Sequence, residues 1–220
     1  MKIRAIITGA SGMVGEGILL TCLNHPEVEQ VLVVGRRTCG HTHPKLREIL
    51  HKDFFDLTSI EQELAGYNAC YFSLGVSSVG MSQEDYRHIT YDLTLNFAQT
   101  LHRLNPELTF CYVTGRGTDS TEKGRIFWGR VKGATENALL RLFGERAYMF
   151  RPAFMKAVPG QKNLLRAYPW FAWIYPLGRR FLPGGFCTLE EVGQAMIHTV
   201  TRGFPKKILD VKDIVALAQE

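Results

Sequence analysis

A run of glycines set between a short apolar strand and an apolar helix restricts this chain more than any other feature. Ile3 to Thr8 is a β-branched run, long enough for a strand and without the polar alternation of a half-exposed one. It ends in Gly9-Ala10-Ser11-Gly12-Met13-Val14-Gly15. Met13 to Leu23 then carries Val14, Ile18, Leu19 and Cys22 at helical spacing until Pro26 stops it. A second apolar strand, Val31 to Val34, comes next. Glycines at 9, 12 and 15 allow a tight turn, a close approach of the backbone to a pyrophosphate, and packing of helix on strand. The helix N-terminus turns free N–H groups and a positive dipole end toward such an anion. A lone glycine pattern is weak evidence, but the strand before it and the strand after it supply the context of a dinucleotide cradle.

The rest of the chain continues the alternation. Ile49 to Phe54 reads as a weaker third strand, Asp56 to Gly66 as a short helix, and Ala69 to Leu74 as a fourth strand closed by Gly75. Ser82-Gln83-Glu84-Asp85 resembles a capping box with Asp in the last place, and its helix runs to about Leu104 before Asn105-Pro106. Leu108 to Thr114 is a fifth strand, Phe127 to Phe143 a helix closed by Gly144, and Tyr148 to Arg151 a sixth strand cut by Pro152. A helix from Leu189 to about Val200 and a short segment from Ile208 to Ala218 close the chain. The expectation is an α/β fold: a Rossmann-type, doubly wound, mostly parallel sheet with helices on both faces. One domain spans residues 1–220, and an irregular region of about 155–187 covers the substrate. The ligand belongs at the carboxyl ends of the strands, at the switch point.

Composition narrows the function classes. No stretch approaches the roughly 18 apolar residues of a membrane helix, and Tyr168 to Leu177, the nearest to one, is broken by Pro169 and Pro176. No signal peptide is visible. The net charge of +5 comes from Lys and Arg spread along the chain, with no nucleic-acid-binding signature beside it; one phosphate site on a solvated surface accounts for it. Five scattered cysteines, Cys22, Cys39, Cys70, Cys111 and Cys187, fit reduced thiols in a cytoplasmic protein. His41, His43 and His51 lack the companions a metal site needs, so no metal is expected and these side chains are placed in solvent.

The end of the second strand selects the cofactor. An NAD site usually places Asp or Glu there, whereas this chain has Gly35-Arg36-Arg37. A guanidinium pairs with a ribose 2′-phosphate, which favours NADP(H). Asp53-Phe54 is expected at the adenine, with an exposed loop acid as the alternative for Asp53. Ser73-Leu74-Gly75 is expected along the cofactor.

With these residues in place the chain resembles the short-chain dehydrogenase/reductase superfamily. It is most similar to the atypical branch of Tat-interacting-protein-like proteins and nucleoside-diphosphate-sugar epimerase-like proteins. The resemblance is carried by Thr8-Gly9-Ala10-Ser11-Gly12-Met13-Val14-Gly15, Val33-Val34-Gly35-Arg36-Arg37, Phe72-Ser73-Leu74-Gly75, Val131-Lys132-Gly133-Ala134-Thr135-Glu136 and Phe150-Arg151-Pro152. It implies a Lys that holds the nicotinamide ribose, a Tyr four residues before it that moves a proton, and a Ser at the end of the fifth strand. Lys132 matches. Trp128 stands where the Tyr would be, and an indole N–H donates but does not titrate near neutral pH. Thr114, or Gly115 after it, falls at the Ser position. Tyr112, Tyr91 or a water could supply the proton instead. Two readings follow: an NADP-dependent oxidoreductase or epimerase-like enzyme of unknown small-molecule substrate, and a non-catalytic NADPH-binding module that senses redox state or docks a partner. The aromatic segment Tyr168 to Tyr175 is open as core, pocket lid, homodimer contact or membrane-surface anchor.

Overall fold

The computed structural model describes residues 2–164, 168 and 173–220. Seven parallel strands form one sheet in the order β3-β2-β1-β4-β5-β6-β9. They are β1 (Ile3–Thr8), β2 (Val28–Gly35), β3 (Leu46–Leu50), β4 (Ala69–Phe72), β5 (Thr109–Val113), β6 (Ala147–Arg151) and β9 (Ile208–Asp210). The order reverses between β1 and β4, so the first connection winds one way and the later ones the other. That is the doubly wound sheet expected from the alternation of strands and helices.

Side chains of each strand divide between two cores. Ile3, Ala5 and Ile7 enter one cluster and Ile6 the other; Tyr148 and Phe150 oppose Ala147 and Met149 in the same way. Both faces are covered, which is why the strands read as unbroken apolar runs. One face carries α1 (Met13–Asn24), α7 (Leu189–Thr201) and α8 (Val211–Ala218). The other carries α2 (Glu61–Leu64), α4 (Leu93–Leu104) and α5 (Phe127–Phe143). All five cysteines are buried and unpaired.

Three expectations need correction. The third strand starts earlier than expected, at Leu46, and ends at Leu50 rather than Phe54; beyond it the Asp53 carboxylate accepts the Phe55 N–H at 2.9 Å in a local turn. The helix from Ser82 to Leu104 is present as α3 (Gln83–Arg87) and α4, joined by one π-turn at His88–Asp92. Its cap is one-sided: Ser82 Oγ accepts the Asp85 N–H, while the Asp85 carboxylate takes the Ser82 hydroxyl rather than the Ser82 N–H. The closing segment from Ile208 divides into β9 and α8, where Asp210 and Asp213 form a complete capping box. A second, two-stranded sheet pairs β7 (Phe154–Lys156) with β8 (Phe186–Thr188). Three residues apiece are too few to register as periodicity. Of the aromatic segment, residues 169–172 lie outside the described residues. After them Trp173 is exposed and Tyr175 is buried at the start of α6 (Tyr175–Phe181).

Helix α1 is held against α7 by small residues at the crossing. A Cβ on Gly193 would stand 2.7 Å from the Thr21 Cβ, and one on Gly17 would stand 2.7 Å from the Leu189 Cβ. This crossing fixes the helix whose N-terminus faces the sheet's switch point. Gly193→Ala is expected to destabilise the protein by about 1–3 kcal/mol through overpacking, read as a lower urea midpoint. An unchanged midpoint would mean the crossing has slack.

Candidate functional site

The turn after β1 is built by contacts that no side chain could share. Gly9 has φ +74°, and a Cβ there would lie 2.8 Å from the Ser73 carbonyl oxygen. A Cβ on Gly15 would lie 2.3 Å from the Gly9 carbonyl oxygen and 2.7 Å from Ser73 Oγ. Glycine at both places lets β1, the first turn of α1 and the end of β4 meet backbone to backbone. Ser73 Oγ locks the meeting by donating to the Thr8 carbonyl at 2.6 Å. The N-cap of α1 is Gly12, with no side-chain cap, so the first N–H groups of α1 keep their donors free.

Three adjoining cavities make a trench over the strand ends. The first, about 570 Å³, is bordered by Gly9, Gly12, Gly15, Phe154, Met155 and Tyr168. The second, about 520 Å³, reaches Lys132, Trp128, Thr114, Arg116, Tyr86 and Ser77. The third, about 160 Å³, runs from Gly9 through Ser11 to Arg36 and Arg37. Ser73 and Gly75 border all three, and Met13 and Val14 line the first, with Leu74 in the second and third. The sequence-identified cradle, the arginine pair and the Lys132 helix therefore meet in one continuous surface. Asp53 and Phe54 do not border these cavities. Asp53 is exposed beyond β3, and the Phe54 ring is buried against Phe97.

Arg36 and Arg37 are exposed, and among the described residues neither guanidinium has a hydrogen-bond or ion-pair partner. Lys132 is half-buried and donates from Nζ to the Thr114 carbonyl at 2.7 Å. Burial pushes its pKa below that of an ordinary lysine, and Glu136 opposes the shift. Thr114 departs from the Ser role. Its hydroxyl turns inward and donates to Glu136 Oε1 at 2.7 Å, since a buried carboxylate needs donors more than the cavity does. Glu136 also pairs with Arg151, which reaches Ser120 Oγ in turn. The sequence showed Glu136 and Arg151 only as family-matching letters; their pairing arises from a fully buried Glu136 on α5 facing a partly buried Arg151 on β6. Trp128 stands in the wall of the second cavity against Gly117, whose added Cβ would be 2.7 Å from the indole Cη2. Neither alternative tyrosine borders the cavity: Tyr112 is buried in the core against Phe72, and the Tyr91 ring lies under Arg87. Tyr86 does border it, buried, with its phenol pushed up in pKa by burial.

Glu16, on the first turns of α1, went unremarked among apolar neighbours. Its side chain is fully buried. It accepts from His41 Nε2 at 2.7 Å, Lys162 N at 2.9 Å and Asn163 N at 2.7 Å. His41 is thus drawn from solvent to a carboxylate. Gln161 adds a bond from Nε2 to the Met13 carbonyl at 2.7 Å. The carboxylate straps residues 161–163 across the helix that forms the cradle. Burial raises the Glu16 pKa, but these donors outweigh it and leave it lowered. The sign follows from linkage: a depressed folded pKa gives stability that is present above the unfolded value and lost as pH falls through the folded one. Glu16→Gln is expected to cost about 1–3 kcal/mol at pH 7. The gap from the wild type should narrow below about pH 4.5, where carboxyls protonate in the unfolded chain. Urea midpoints at pH 7 and pH 3.5 test this, and a gap that widens in acid contradicts it.

Among the described residues no three His, Cys, Asp or Glu side chains converge as a metal site, and no helix is long and apolar enough to cross a membrane. Residues 5–119 match the NAD dependent epimerase/dehydratase family. Protein FMP52, mitochondrial, of Chaetomium globosum is 25% identical over 158 residues, which are 69% of this chain and 66% of that protein. Leucinostatins biosynthesis cluster protein T of Purpureocillium lilacinum is 25% identical over 142 residues, 62% of this chain and 51% of that protein. The match spans less than two thirds of either relative's length. The ADP-L-glycero-D-manno-heptose-6-epimerase of Helicobacter pylori superposes with TM-score 0.66 at 16% identity, over 99% of this chain and 81% of that one. The Bordetella bronchiseptica enzyme WbmG, in complex with NAD and UDP, does so with TM-score 0.69 at 13% identity, over 99% and 78%. These likenesses are of fold.

Proposed function

Because the chain belongs to the NAD dependent epimerase/dehydratase family, we propose that it holds a nicotinamide dinucleotide in the trench, NADP(H) in preference to NAD(H), and works on a small molecule as an oxidoreductase or epimerase-like enzyme. The observation that carries the reading is the cradle. A Cβ on Gly9 or Gly15 would strike backbone or Ser73, and the uncapped helix end beside them presents N–H donors to a pyrophosphate. Gly9, Ser11, Gly12, Met13, Val14 and Gly15 then hold the phosphates, and Ser73, Leu74 and Gly75 run beneath the cofactor. Arg36 and Arg37, without acidic partners among the described residues, receive the 2′-phosphate. Asp53 and Phe54 are left without a part at the adenine in this reading.

Bound there, the nicotinamide supplies hydride chemistry. The chain's own residues set the conditions. Lys132 has three N–H donors and spends one on Thr114, leaving two for ribose hydroxyls. Thr114 acts through its carbonyl, which holds Lys132 in place, rather than through its hydroxyl. Trp128 donates a hydrogen bond without titrating. Tyr86, kept protonated by burial, is the phenol on the cavity wall. The cavity of about 520 Å³ beside Lys132 supports an enzyme over a binding module, since the indole stands in the wall and leaves space for a substrate.

The arginine pair gives the test. Fluorescence titration is expected to show tighter binding of NADPH than NADH. Arg36→Ala with Arg37→Ala should lower that preference by about 10- to 100-fold and leave NADH binding unchanged. Tighter binding of NADH by the wild type would overturn the NADP assignment.

A further inference from the structure

We propose that Arg116 anchors the acid group of an anionic substrate, a carboxylate or a phosphate, at the mouth of the cavity that Lys132 and Trp128 line. The inference rests on the reading of that cavity as the reaction site. It goes beyond it by naming the charge of the substrate and the residue that selects it.

The first support is the way the backbone presents this side chain. β5 ends at Val113, and residues 115–118 form a clamped turn. Arg116 N–H donates to the Pro152 carbonyl at 2.9 Å. Thr118 N–H and Oγ1 both donate to the Gly115 carbonyl, at 3.3 and 2.8 Å. Gly115 and Gly117 have φ of +125° and +97°, conformations that favour glycine. The turn is therefore fixed on both sides of Arg116 and carries one long side chain outward.

The second support is that this guanidinium is uncommitted. Arg151 is paired with Glu136, Arg179 with Glu191, and Arg130 donates to Gly124 and Gln83. Arg116 has no side-chain hydrogen bond or ion pair with any described residue, and it is exposed. A guanidinium carried by a rigid turn that borders a cavity, with its five donors unspent among the described residues, suits a planar or tetrahedral anion.

The third support is the charge around it. Among the described residues the cavity is bordered by two cations, Arg116 and Lys132, and by no Asp or Glu. Behind Arg116 lies a further cavity of about 320 Å³ that Arg151 and Lys212 also border. Asp210, also in its wall, caps α8 by accepting from Lys212 N and Asp213 N and lies 3.9 Å from Lys206. With Arg151 held by Glu136 and Asp210 facing Lys212, the unspent charge at the mouth is that of Arg116 and Lys132, and positive charge there draws in an anion. Lys132 is already bonded to Thr114 and half-buried, so Arg116 is the cation an arriving acid group meets.

The test is an NMR titration of the protein, with and without bound NADP+, using sodium benzoate, inorganic phosphate and neutral benzamide at constant ionic strength. The Arg116 Nε–Hε signal, assigned by its loss in R116Q, should shift saturably with one of the anions and not with benzamide. That anion should bind R116Q about tenfold or more weakly, bind R116K at an intermediate affinity, and leave NADPH affinity unchanged in both variants. Benzoate or phosphate as the stronger ligand identifies the acid class. Equal anion binding by wild type and R116Q, or no saturable binding by the wild type, overturns the assignment. Failure of the wild type to bind NADPH would instead overturn the reading of the trench, and the cofactor-free titration would still decide Arg116.

Discussion

The approach of Gly9 and Gly15 to the end of β4 is the contact on which the site depends. It occurs between β1 and β4, the pair of strands where the sheet order reverses. Because glycine backbone touches the Ser73 backbone directly, the glycine turn and the floor of the cavity beside Lys132 become one surface. A larger residue at either place would separate α1 from β4 and divide the trench. The Ser73 hydroxyl on the Thr8 carbonyl holds the two strand ends in register at this point. The direction of α1, set further along by its crossing with α7, then aims its uncapped N-terminus at the gap.

Buried charge organises what surrounds that contact. Two fully buried glutamates serve as fasteners. Glu16 gathers donors from His41 and from residues 162 and 163. Glu136 gathers Thr114 and Arg151. Each carboxylate accepts several hydrogen bonds, the condition under which an ionised group survives burial. The second network has a functional cost. It turns the Thr114 hydroxyl away from the cavity and leaves the carbonyl to face Lys132. Cations at the trench are treated in the opposite way. Arg36, Arg37 and Arg116 have no acidic partner among the described residues, so their charge remains available to a ligand. The division between spent and unspent charge separates scaffold from site.

Much of the fold was legible because local and global signals agree here. Helix α5 occupies Phe127–Phe143 as its periodicity and Gly144 require, and six of the seven main-sheet strands fall within the expected apolar runs or just beside them. The seventh, β9, was hidden because three residues give no period. The edge strand β3 starts earlier than its apolar run because its outer residues, Arg47 and Glu48, are exposed and give no apolar signal. At the site, the glycines at 9 and 15 were legible because the backbone leaves no room for a side chain there. The direction of the Thr114 hydroxyl was not legible because it depends on a carboxylate 22 positions away. Glu16 was missed because a single acid in an apolar helix looks like surface until its partners, more than 20 residues distant, are in view. Arg116 gave no sequence signal beyond its flanking glycines.

The central claim, that the uncapped N-terminus of α1 is a phosphate cradle, is tested most directly by NADPH binding to Gly12→Asp. Gly12 has extended backbone (φ −116°, ψ 163°), and among the described residues a Cβ there meets only the Gly9 carbonyl oxygen, at 3.4 Å. Aspartate is a favoured N-cap residue, so the variant should fold with equal or higher stability while placing a carboxylate where the pyrophosphate belongs. The account predicts a protein that melts no lower than the wild type and has lost NADPH binding. A stable Gly12→Asp variant that binds NADPH as tightly as the wild type would contradict it.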